Sequence, residues 1–185
     1  MSHVMVDLET LGTKAGCAIL SIGAVRFDPE NDPKGLMILL PENRFHCAIE
    51  LQSCLDVGLK IEGGTFYWWM NQKDAARSAI QAQRLELRDA LTQFSEFFEP
   101  SKYLWGHGAS FDQPILEAAY VALPFISDST PRLPARFSNH RDTRTLFDLA
   151  KVKPKRDPNT HHNALADAEA QAIAVLLAYE KVRGA

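Results

Sequence analysis

Two carboxylates, Asp7 and Glu9, stand two residues apart in the otherwise apolar opening run VMVDLETLG, residues 4–12. A buried charge is costly unless something pairs with it. On a strand, residues i and i+2 point the same way, so these two acids project together. Side by side they repel, and each tends to keep its proton in a dry site. A divalent cation between them removes the repulsion and uses the charge. Hard oxygen donors suit Mg²⁺ or Mn²⁺ better than Zn²⁺. The competing reading is a pair of exposed acids at a strand end. Two more acids lie far along the chain. Asp112, in GHGASFDQPIL, follows a strand at the start of a helix, where Asp is also a favoured N-cap and Ser110 an alternative one. Asp167, in HHNALADAEAQA, falls near the first turn of a helix capped by Asn163, where the helix dipole favours negative charge in any case. His162 precedes Asp167 by five residues. On one helix that spacing turns the side chains about 140° apart, so His162 serves the same site only from the loop ahead of the helix. The pattern also fails the HExxH zinc spacing. His161 reads as a loop histidine without a task.

These residues need a scaffold. Val4, Val6 and Leu8 alternate with Met5, Asp7 and Glu9, which is a strand period, and both faces are apolar before Asp7. That predicts a central strand covered on each side, with the acids near its carboxyl end, where open α/β sheets hold ligands. AILSIGAVRFD (18–28) and RFHCAIE (44–50) predict two more strands, linked by turn formers into an antiparallel meander. Helical spacing follows over 65–81 and over 84–98, the second ended by Glu99-Pro100. A fourth strand is predicted over 103–108 and a helix over 112–122. Residues 124–137 are rich in Pro and polar side chains and read as a surface loop. A short fifth strand over 138–142, a helix over 143–151 and an Ala-rich helix over 164–182 complete the chain. Strands first, then alternating helix and strand, predict an α/β layer fold with a mixed sheet.

The chain has 185 residues, 46% of them hydrophobic, which fits one domain over 1–185 with a sizeable core. A formal charge of −3 excludes a broad basic field, so contacts with nucleic acid would be local or bridged by cations. Three cysteines without a CxxC pair suggest reduced thiols and a cytoplasmic setting. No basic-then-apolar leader opens the sequence, and the longest apolar run, Leu36 to Leu40, is too short to span a bilayer, so no membrane partner is expected.

Taken together, VDLET, GASFD and HHNALADA, in that order and with the His-x-x-x-x-Asp spacing, resemble the three motifs of the DEDD superfamily of 3′–5′ exonucleases, in its histidine subgroup (DEDDh). FYWWM (66–70) and RDTRTLFDLA (141–150) are similar to segments of its bacterial and phage exoribonuclease-like group. Ribonuclease T and oligoribonuclease are more distant relatives. The motifs reach from residue 6 to about residue 170. The resemblance implies a ribonuclease H-like fold with a central mixed five-stranded sheet flanked by helices. It implies that Asp7, Glu9, Asp112 and Asp167 bind two Mg²⁺ or Mn²⁺ ions, and that His162 is the general base for the attacking water. The expected reaction is release of nucleoside 5′-monophosphates from the 3′ end of single-stranded RNA or DNA. A DNA-directed repair or proofreading exonuclease is the alternative, and a non-catalytic nucleic-acid-binding domain the third reading. Relatives often pair as homodimers, so a homodimer is expected from the resemblance alone.

In the family, the residues after Glu9 contact the 3′-terminal nucleotide, which assigns Thr10, Leu11 as an apolar wedge, and Gly12 as a point of close backbone approach. A plain strand-ending turn is the alternative. Phe111 faces the terminal base or joins the core. Trp68 and Trp69 point about 100° apart on a helix, so one of them, with Trp69 favoured, faces substrate as a stacking platform. His107 reaches the cleft or is structural. Lys151, Lys153, Lys155 and Arg156 form a basic loop that holds phosphates or is simply solvated. Arg141 and Arg144 flank Asp142, a candidate helix cap.

Overall fold

The computed structural model describes residues 2–72, 78, 84–127, 130–155, 157 and 162–184. Its central strand is β1 (His3–Thr10), paired antiparallel with β2 (Ile19–Phe27), which pairs antiparallel with β3 (Arg44–Ile49). A two-residue strand, β4 (Arg84–Leu85), lies parallel to β3. On the other side of β1 come β5 (Tyr103–Gly106) and β6 (His140–Asp142), both parallel. The order β4-β3-β2-β1-β5-β6 makes a mixed sheet of six strands, one more than expected. The addition falls where helical spacing was read from residue 84. There the chain first pairs with the edge of β3, and the Glu50 N–H donates to the Leu85 carbonyl at 2.8 Å.

The helices are α1 (Leu51–Asp56), α2 (Gly63–Met70), α3 (Leu87–Phe98), α4 (Asp112–Ala122), α5 (Thr143–Ala150) and α6 (Ala164–Arg183). Of the helix expected over 65–81, α2 covers the start and stops at Met70, where Asn71 is its C-cap; residues 73–77 and 79–83 lie outside the described residues. The sheet is covered on both faces. Val4, Val6 and Leu8 pack with Leu91 and Phe94 of α3 and Ile115 and Leu116 of α4. Met5, Val25, Phe27 and Trp105 pack with Phe147 of α5 and the small residues Ala168 and Ala172 of α6. β1 is therefore the buried centre, as its two apolar faces require. Among the described residues, no helix is long and apolar enough to cross a membrane.

The approach of α6 to the sheet depends on Gly23, which faces Asp7 across the β1–β2 ladder. A Cβ at Gly23 would lie 2.1 Å from the Ala164 carbonyl carbon and 2.2 Å from the Leu165 nitrogen. These are backbone atoms of the first turn of α6 and cannot rotate away. Gly23→Ala must therefore push this turn off the sheet, carrying His162 and Asp167 with it. We expect a loss of about 3 kcal/mol, the upper part of the usual overpacking range. For a chain of this length that is a fall in Tm of roughly 6–12 °C. Thermal denaturation checks it; an unchanged Tm would show that α6 does not seat against this glycine.

Candidate active site

Asp7 and Glu9 leave β1 on the face covered by α6, beyond the last residues that β1 pairs with β5. That early end of the parallel ladder leaves backbone donors to be satisfied. Asp112 satisfies two of them, accepting from the Leu8 N–H at 3.2 Å and from the His107 N–H at 2.8 Å. It thus ties the ends of β1 and β5 together. Asp112 is not the N-cap of α4. The helix begins at Asp112 itself, after Phe111. Gln113 is helical in spite of the following proline. Its buried amide compensates by donating to the Leu104 and Arg141 carbonyls, both at 2.8 Å.

On α6, Asn163 caps the helix by accepting from the Ala166 N–H at 3.1 Å, and Asp167 lies in the first turn. Asp167 accepts from the His162 N–H at 3.1 Å. His162 lies ahead of the helix with φ +66°, a left-handed conformation that is uncommon for a side-chain-bearing residue. That turn brings its ring into line with the acids. Ligand atoms of Glu9, His162 and Asp167 all lie within 4.8 Å of one another. Asp7 accepts from the Gln171 side-chain N–H at 2.7 Å.

The electrostatics are those of a site built for positive charge. Burial pushes the Asp7 carboxyl well above the usual carboxylate range, and Asp112, Glu9 and Asp167 add to the shift by repulsion. Burial raises Asp112 to about 6, against the pull of its two backbone donors and of the Arg144 charge. Glu9, Asp112 and Asp167 are all nearly inaccessible to solvent. The acids line a cleft of about 680 Å³, together with His162, His107, Arg144 and residues of α2. Carboxylate oxygens converging from β1, α4 and α6, with an imidazole beside them, fit a hard divalent cation in donor chemistry.

The cleft walls place the tryptophans and Leu11 in different surroundings. Trp69 is buried, and its indole N–H donates to the Thr10 carbonyl at 2.9 Å. It lines the cleft but pins α2 to the end of β1. Trp68, 41% exposed, is the accessible ring, and it meets His162 edge-on at 4.7 Å. Leu11 is no wedge. It is buried in the core with Val4, Val6 and Leu8 and does not line the cleft. β1 ends at Thr10 and the chain bends at Leu11, so the strand alternation does not carry through to it; the irregularity in the β1–β2 register here is an extra residue, Leu20, on β2. Thr10 and Gly12 do line the cleft. The Thr10 hydroxyl donates to the Gly12 carbonyl at 2.6 Å. Gly12 is required by packing, since a Cβ there would lie 2.5 Å from that of Cys17. Phe111 is half-buried and touches both core and cleft.

The model of the 3′-5′ exoribonuclease Rv2179c-like domain matches residues 2–178. The chain belongs to that family. It is 26% identical over 163 residues to an exodeoxyribonuclease of Enterobacteria phage T4, covering 80% of this chain and 71% of the phage protein. Exonuclease X, solved in complex with 5′ overhanging duplex DNA, shares the fold at a TM-score of 0.56 and 18% identity, over 99% of this chain and 92% of that one. The ribonuclease H-like α/β architecture expected from the motifs is thus the observed one, and the activity class is 3′–5′ exonuclease.

For a member of this exoribonuclease-like family, several residues in or directly behind the cleft carry no clear signal in the sequence. Gln171 is the exception, following Asp167 by four residues and hence on the same helical face. Arg144 was read only as a neighbour of Asp142, which does cap α5 by accepting from the Arg144 and Thr145 N–H groups. Gly64 and Thr65 enter from the first turn of α2. The His107 ring bonds the Thr143 hydroxyl at 2.8 Å, and that hydroxyl donates to the Gly106 carbonyl. Its Nδ1 is therefore the donor. Arg156 and His161 lie outside the described residues. The cysteines are buried, with burial pushing the Cys47 thiol up to about 12 and Cys54 to about 11, so neither offers a thiolate nucleophile.

Proposed function

We propose that this chain removes nucleoside 5′-monophosphates from the 3′ end of single-stranded RNA. Asp7, Glu9, Asp112 and Asp167 would hold a pair of Mg²⁺ or Mn²⁺ ions. The observation that carries the reading is the convergence of these acids on one cleft at a cost in mutual repulsion. Such an arrangement is kept only if cations relieve it. Bound ions would supply charge stabilisation for the phosphodiester and lower the pKa of water. His162, held by its N–H bond to Asp167, takes the proton of the attacking water, and the 3′-oxygen of the penultimate nucleotide leaves. Trp68 presents an accessible indole on which a terminal base stacks, worth roughly 1–3 kcal/mol. The family model, over residues 2–178, favours RNA. The phage exodeoxyribonuclease relative supports DNA as the second reading. End-labelled RNA and DNA single strands of one sequence, incubated with Mn²⁺ or with EDTA, separate the two. Metal-dependent mononucleotide release from RNA at the higher kcat/KM is expected; release from DNA alone would reverse the substrate assignment.

Stability should depend on pH through the same acids. Asp7 and Asp112 have folded pKa values above their unfolded ones, so from about pH 4 the native state holds protons the unfolded chain has lost. Their contribution therefore worsens as pH rises through the folded values, near 6 for Asp112. His3, buried and lowered to about 4, acts in the opposite sense between its folded and unfolded values, as does His46, also lowered by burial. These histidines are outside the cleft and cancel when the same protein is compared with and without metal. The rise in Tm caused by Mn²⁺ over EDTA should accordingly be small at pH 5 and grow to pH 8. A metal effect independent of pH would show that cations do not displace these protons.

A further inference from the structure

The cleft does not end at the acids. His107 and Arg144 also line a second hollow of about 820 Å³, bordered by Phe147, Lys151, Lys153 and Pro154. α2, with Trp68 and Trp69, lines the cleft and contributes nothing to the hollow. The two ends differ in chemistry. The α2 end is aromatic. The hollow carries Arg144, Lys151 and Lys153, with Asp148 the one acid on its lining among the described residues. Lys151 pairs with Asp148 at 3.0 Å, and Arg144 and Lys153 are exposed. Arg144 lies against Gly108, where a Cβ would come within 3.3 Å of its Nε. An enzyme acting on a chain end needs a closed side for one nucleoside and an open side for the rest of the polyanion.

We propose that the hollow between α5 and the segment 151–154 is the path of the substrate strand upstream of the scissile bond, with Arg144 and Lys153 binding its next phosphates. This rests on the exonuclease reading above and adds the polarity of the strand: the terminal nucleoside lies at α2 and the remaining chain leaves past His107 and Arg144. The occupant is a phosphodiester backbone, read by charge without base contacts.

The test compares a dinucleotide, whose only phosphate is the scissile one, with a tetranucleotide and a ten-nucleotide strand. In the wild type, kcat/KM should rise with length. Lys153→Glu, at an exposed position outside the lining of the carboxylate cleft, should cut that gain by about tenfold, mostly in KM, and Lys153→Gln by less. Each cation removed should make the slope of log KM against log salt shallower by about 0.7. Arg144→Gln should do the same, with an added effect from its charge beside Asp112. A Lys34→Gln/Lys60→Gln double variant, which removes charge elsewhere, should keep the length dependence. A wild type without length gain, or a Lys153→Glu variant that keeps it, would overturn the strand path while leaving the exonuclease intact. A wild type inert on every strand with Mn²⁺ would overturn both, and is told apart by the missing wild-type activity.

Discussion

Asp7→Asn is expected to abolish hydrolysis and, in EDTA at pH 8, to raise Tm. The two effects share a cause. Asp7 is the carboxylate most disfavoured by its surroundings, desolvated and facing Asp112, Glu9 and Asp167. Asparagine keeps the shape and can still accept from Gln171, now 2.7 Å from Asp7 Oδ1. It removes one charge from the repelling set, so the metal-free protein gains stability. With metal the sign reverses, because an amide is a far weaker ligand than a carboxylate. The Mn²⁺-induced rise in Tm should shrink, and turnover should fall by at least about a thousandfold, the scale lost when a preorganised electrostatic group is removed. Asp7→Ala should be equally inactive but without the gain in stability, since it leaves the Gln171 amide unpaired. Thermal denaturation with and without Mn²⁺, together with nuclease rates, checks these outcomes for both variants. A destabilised Asp7→Asn protein in EDTA would mean that the acids do not strain the fold. Full activity would remove Asp7 from the site.

How far such a site can be read from sequence depends on whether the cause is local. The alternation of Val4, Val6 and Leu8 against Met5, Asp7 and Glu9 is local, and it placed both acids on one face of a central strand. Asn163 as cap, Asp167 in the first turn and His162 ahead of it follow from helix geometry alone, and the structure has all three. Leu11 falls in the core because β1 ends at Thr10 and the chain turns there, with the Leu11 N–H donating to the Ala18 carbonyl, a pairing that spacing along one strand does not show. The choice between Trp68 and Trp69 is likewise non-local. Adjacent positions diverge by about 100° in any helix, but which of them turns inward depends on the Thr10 carbonyl, 59 positions away. β4 was hidden for the same reason, since two residues pair only because the edge of β3 is there. Asp112 was visible as an acid at a helix start, but its bonds to Leu8 and His107 require the β1–β5 junction.

His162→Ala distinguishes the two roles the geometry offers this residue. Its ligand atom lies with those of Glu9 and Asp167 within 4.8 Å, which suits a metal ligand as well as a base. If it is the base, the variant should lose turnover by about 10²–10⁴-fold while keeping the Mn²⁺-induced rise in Tm. The part of the acid limb of the pH–rate profile that imidazole protonation sets should also disappear, leaving the part set by proton competition at the carboxylates. If it is a ligand, the metal-induced rise in Tm should shrink with the rate. Folding does not confuse the result. The φ of +66° is as unfavourable for alanine as for histidine, so the backbone cost is carried by both proteins. What the variant gives up in packing includes the edge contact with Trp68, itself partly exposed, and a longer one with Trp69 at 6.4 Å. Trp68→Ala is therefore the matching control. It removes the same contact from the other side; lost base stacking should show in KM, so its effect on kcat at saturating substrate sets an upper limit on how much of the loss at His162 comes from holding the ring rather than from moving the proton. A variant at His162 that retained full activity and its acid limb would leave the attacking water without this base.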